Sequence, residues 1–127
     1  MTPNTVKKTI SVTLLKVPVS NTHAFMRTFI GNLDLKVFVY QELTGYINKA
    51  DRVGVLGNYE DPLICPMDAS MELVAAEFLK AAAKDESFKG FVWVLENRGA
   101  FSSSFLAFLH TVANVTRKPR QFDPKEN

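Results

Sequence analysis

Phe101 to His110 reads FSSSFLAFLH, which places three hydroxyls close to one of the chain's two histidines. Serine with histidine is the pairing of nucleophilic catalysis, in which an imidazole within hydrogen-bond reach takes the hydroxyl proton. The run is apolar enough to be a helix, and a helix rises about 1.5 Å per residue, so His110 stands about 10 Å along the axis from the serines. It cannot be their base. At 100° per residue, Phe105, Phe108, Leu109, Val112 and Val115 share the apolar arc and His110 falls on the polar side. A simpler role suffices for the serines, in which Ser102 or Ser103 caps the helix, its oxygen accepting a backbone N–H of the first turn.

The other reactive types are equally sparse. Glu60, Asp61 and Asp68 lie in the proline-bearing stretch YEDPLICPMD and read as turn and capping residues. The lone cysteine, Cys65, excludes an intramolecular disulfide and a cysteine-based zinc cluster, and between Ile64 and Pro66 it is expected to be a small core residue. No nucleophile elbow, phosphate-binding glycine loop, zinc-binding His-Glu motif or dinucleotide fingerprint is present. No catalytic residue, cofactor or metal ligand is therefore assigned.

The elements that would position these residues follow from hydrophobic periodicity. Residues 6–17 alternate, with Ile10, Val12 and Leu14 opposite Thr9, Ser11 and Thr13, as in a half-buried strand that Pro18 ends or confines to an edge. Ser20 caps a short helix over 21–30, with Gly31 at the left-handed position after it. Leu33 to Leu43 alternates again, and DRVGVLGN pairs with it as a hairpin across the polar segment TGYINKA. Met71, Val74, Ala75, Phe78 and Ala82 carry the apolar stripe of a helix over 69–84, capped by Asp68 or Ser70. KGFVWVLEN is a central strand, and a last helix runs over 103–116. The order β-α-β-β-α-β plus a C-terminal helix is that of an α+β, ferredoxin-like plait. Residues 1–117 form one domain and 118–127 a polar tail.

In such a plait Phe38, Tyr40, Phe91 and Trp93 gather on the sheet face away from the crossover helices. That face is either core beneath the last helix, an interface for a protein or a second copy, or a stacking platform for single-stranded nucleic acid. In the last case Arg117, Lys118 and Arg120, with Lys7 and Lys8, form the basic patch that meets phosphates.

Asp68 to Thr116, DASMELVAAEFLKAAAKDESFKGFVWVLENRGAFSSSFLAFLHTVANVT, resembles the middle of STAS domains, where a helix and a strand lead into a serine turn that opens the next helix. Phe101 and Ser104 stand where that family has Asp and Gly. The resemblance implies a STAS-like sheet-and-helix fold as the alternative, with Ser102 or Ser103 as a phosphorylated regulatory serine.

Composition restricts the remaining functions. With 15 Lys and Arg against 13 Asp and Glu, the net charge of +2 argues for neither nucleic acid nor membrane. No apolar run of the roughly 20 residues that span a bilayer occurs, and the start MTPNTVKK is not a secretory signal, so a cytoplasmic location is expected. The 127 residues, 46% apolar and 22% charged, suit one folded domain. The function expected is a non-catalytic protein-binding or regulatory module, bound to a protein partner or a second copy of itself. The alternatives are the nucleic-acid-binding module and the phospho-switch.

Overall fold

The computed structural model describes residues 8–17, 22–96 and 101–118. In chain order the elements are β1 (Ser11–Leu15), α1 (Thr22–Asn32), β2 (Lys36–Tyr40), β3 (Leu43–Asn48), β4 (Val53–Leu56), α2 (Met71–Ala83), β5 (Val92–Glu96), α3 (Ser103–Val112) and β6 (Asn114–Lys118), with a 3₁₀ turn at Glu86–Phe88. Six strands form one mixed sheet in the order β2-β3-β4-β5-β1-β6. β2, β3 and β4 pair antiparallel, while β4, β5, β1 and β6 are parallel. The fold is thus α+β, with a mixed six-stranded sheet and three helices among the described residues.

The expected order of elements is present with two strands added, β3 and β6. Segment TGYINKA, read as polar loop, supplies most of β3, and Gln41 at φ 55° makes the tight turn from β2. The last helix ends at Val112, four residues short of the expected 116. Ala113 turns to an extended conformation and β6 follows, so Lys118 belongs to a strand and not to a tail. Two details differ from a plait with its helices on one face. β1 is a central strand between β5 and β6 with Thr13 only 3% exposed, so it is buried on both faces. In addition, α1 lies on one face of the sheet and α2 and α3 on the other. Right-handed crossovers require this: the chain steps from β4 to β5 and on to β6 in one direction, but from β1 to β2 in the opposite one.

Each layer has its own core. Val12, Leu14, Leu56, Trp93 and Leu95 pack beneath Phe78 and Leu79 of α2 and Phe105 and Leu109 of α3. Leu15, Val53, Val55 and Val94 face Met26, Phe29 and Ile30 of α1, joined by Leu33 and Leu35. β5 lies between β4 and β1, and four of its five residues are buried, as its unbroken apolar run requires. Gly54 and Gly45 make room for rings. A Cβ on Gly54 would collide with Cζ3 of Trp93, and one on Gly45 would meet Cε1 of Phe38 at 2.6 Å. Gly31 lies inside α1, and the left-handed residue after the helix is Asp34, φ 55°, where Leu35 N–H reaches back to the Ile30 carbonyl at 3.0 Å. The expected cap of α1, Ser20, lies outside the described residues.

Candidate functional site

The carboxyl ends of β4 and β5 and the amino ends of α2 and α3 meet around a cavity of about 190 Å³. In open sheets of parallel strands this is the end where ligands bind. Its walls include the apolar Leu56, Met67 and Phe101 together with Tyr59, Glu72 and Glu96. Glu96 closes β5 and is 7% exposed; the Tyr59 hydroxyl donates to its Oε1 at 2.6 Å. A buried carboxylate needs such a donor. Tyr59 is held in turn, since its N–H donates to the Tyr46 hydroxyl oxygen at 2.9 Å, and burial pushes the Tyr46 hydroxyl up to about 12.

Glu72 joins the two helix starts. It sits in the first turn of α2, where a carboxylate complements the helix dipole. Its Oε1 accepts from the Ser102 hydroxyl at 2.7 Å and its Oε2 from the Ser102 N–H at 3.1 Å. The Ser102 oxygen accepts the Phe105 N–H at 3.1 Å, so the serine caps α3 and clasps it to α2. Ser103, one residue on, is exposed in the first turn. Of the two capping serines expected, the structure selects Ser102. At the start of α2, Asp68 accepts from the Ser70 hydroxyl at 2.6 Å and the Met71 N–H at 3.2 Å, and these bonds hold its carboxyl below the usual range. Asp61 accepts from Leu63 N–H at 2.9 Å, which makes it a turn residue as expected.

Neither histidine approaches Ser102. His110 is exposed on α3, and its carbonyl accepts from the Lys8 ammonium at 2.6 Å. His23 packs its ring 5.7 Å from that of Tyr59 on the α1 side. Cys65, expected in the core, is exposed at the cavity rim, because the stretch between β4 and α2 lies on the surface.

Phe38, Tyr40, Phe91 and Trp93 lie on the face covered by the crossover helix α2, not on a face turned away from the crossovers, and they form no open surface. α2 lies over them: the Phe78 ring is 5.0 Å from Trp93, 5.4 Å from Phe38 and 5.2 Å from Tyr40. Trp93 is 0% exposed and Phe91 1%. Along the alternating stretch, Leu33 and Leu35 are buried by α1, while Val37 and Val39 on the edge strand are 56% and 67% exposed. Of the basic patch, Arg117 is exposed on β6, Lys118 ends that strand, and Arg120 and Lys7 lie outside the described residues.

Glu72, Tyr59 and Glu96 do not stand out in the sequence. Their partners are 30 and 37 residues away, beyond any local pattern. Among the described residues no helix is long and apolar enough to cross a membrane, and no group of three or more His, Cys, Asp or Glu could hold a metal ion. Comparison of the chain with family models, curated proteins and solved structures finds no match.

Proposed function

We propose that this chain is a non-catalytic cytoplasmic module that binds a protein partner through the end of the sheet bearing the cavity. One observation carries the reading: on the segment that walls the cavity, Leu63 and Leu73 are 91% and 77% exposed, with Ile64 also in water. Large apolar side chains exposed within one short stretch of sequence are the material of interaction surfaces. Glu60, Asp61, Asp68 and Glu72 flank them in sequence, so the partner that fits presents an apolar recess rimmed by Lys or Arg. A photo-crosslinking residue placed at Leu63, or at Leu73, is expected to capture one and the same protein, whereas one at exposed Lys80 does not. Leu63→Asp with Leu73→Asp is expected to abolish capture with an unchanged circular dichroism spectrum. Capture that is equal at all three positions, or that survives the double substitution, would overturn the reading.

The Ser102–Glu72 clasp favours a second reading, in which phosphorylation regulates this same end. A phosphate on Ser102 would bring a charge of about −2 against the Glu72 carboxylate and open the clasp. The nucleic-acid reading keeps its basic residues but not its stacking platform, since α2 covers the rings on which bases would stack.

A further inference from the structure

The two edges of the sheet are unlike. Natural edges are protected by charge, proline, bulges or a covering element. The sequence of β6 offers such protection: Arg117, which is exposed, and Lys118 are adjacent at its end, and the next residue in the sequence is a proline. β2, KVFVY, has neither proline nor adjacent like charges, and its one cation is paired locally, Lys36 Nζ lying 3.0 Å from Asp34 Oδ1. Val37 and Val39 stand on one face of this edge, both more than half exposed.

The direction of the free backbone groups follows from the pairing. Thr44 of β3 gives its carbonyl to Gly57 N–H at 2.8 Å, on the β4 side, so the opposed pair Val39 and Thr44 is not the hydrogen-bonded kind. Backbone groups alternate along a strand, so the N–H and C=O of both Val37 and Val39 point outward, away from β3. The edge therefore presents two donors and two acceptors at a spacing of two residues.

We propose that this edge pairs antiparallel with β2 of a second copy, about a two-fold axis through Phe38, extending two six-stranded sheets into one of twelve strands. In that register Val37 faces the partner's Val39 and Val39 faces the partner's Val37. All four residues direct their backbone groups at one another, giving four hydrogen bonds with no outward group of these valines left over. The four valines form one apolar cluster on a single face. Phe38 meets its own copy, and Lys36 meets the partner's Tyr40, so no two like charges oppose each other along β2. A second copy fits this edge because the pattern is complementary to itself, as a two-fold interface requires. The pairing uses only one short strand per copy, so the dimer is expected to be weak and in rapid exchange. It uses a different surface from the cavity end, so either reading can fail without the other.

Sedimentation equilibrium of the full chain tests the proposal. The mean mass is expected to rise from monomer toward dimer over about 5 to 500 µM, as mass action requires. Val37→Lys with Val39→Lys changes only exposed positions and puts charge on the edge; this variant should stay monomeric over that range with its circular dichroism unchanged. A wild-type chain that is monomeric throughout, or a dimer that the double variant leaves intact, would overturn the proposal. Register is tested in a Cys65→Ser background by mixing Val37→Cys chains with Val39→Cys chains. Directly opposed strand residues, about 5.5 Å apart at Cα, are within disulfide reach. The mixture should crosslink several-fold faster than either chain alone, and equal rates would sink the proposed register.

Discussion

Ser102 unites what local pattern and tertiary structure each require of one residue. Its oxygen caps α3, a role open to any short polar side chain at that position, while its hydroxyl hydrogen and amide are committed to Glu72 on another helix. The two roles can be separated by substitution. Ser102→Ala removes the cap and the hydroxyl bond to Glu72, leaving only the amide bond, and is expected to cost about 1 to 2 kcal/mol, the upper part of the range for loss of a cap. Ser102→Asp keeps a cap acceptor but sets two carboxylates against each other, so it should also destabilise, and Glu72→Gln should restore stability to Ser102→Asp. Urea unfolding of the four chains checks this. If Ser102→Asp is as stable as wild type, the clasp contributes nothing and the phospho-switch reading loses its physical basis. The capping half of this arrangement was legible in FSSSF, because an N-cap is a local pattern. The Glu72 half was not, since nothing in the neighbourhood of either residue names a partner 30 positions away.

At the scale of elements, β5 and α2 were legible because their patterns are long and unambiguous, an unbroken apolar run in one and a 3.6-residue stripe in the other. β3 was obscured by Gly45 and Asn48. Each has a specific place there: Gly45 lies under the Phe38 ring, and Asn48 donates from Nδ2 to the Leu33 carbonyl at 2.9 Å. β6 was obscured by coincidence of period, since Val112 and Val115 continue the stripe of α3 and neither glycine nor proline marks its end. The alternation of β2 was correctly visible, but which of its faces is covered depends on the directions of the crossovers, and those are set elsewhere in the chain. Gly54 reads in sequence as a weak point of β4; in the fold its missing side chain is where the Trp93 ring lies. Gly54→Ala must displace that ring against β5, Phe78 and Phe88, and overpacking of this kind costs about 1 to 3 kcal/mol. The expected result is a lower urea midpoint together with an altered near-ultraviolet spectrum of the only tryptophan. A midpoint and spectrum equal to wild type would mean that Trp93 does not occupy the space above Gly54.

At the scale of the whole molecule, the two faces of the sheet divide the apolar residues unequally, and the aromatic ones most of all. Trp93 is ringed by Phe38, Phe78, Phe88 and Phe91, all with centroids between 5.0 and 6.3 Å from its own, and α2 closes this cluster from above. The residues that looked like a binding platform are thus the part of the core where β2, β5 and α2 must all be in place at once. Trp93 emission consequently reports on the assembled layer and not on a surface. It should be blue and weakly quenched by acrylamide in the native chain, and short single-stranded oligonucleotides should leave it unchanged even at low salt, where phosphate contacts are strongest. Emission that is red and readily quenched would mean that α2 does not lie over β5. The layer would then be open, and the aromatic face would again be available to a ligand.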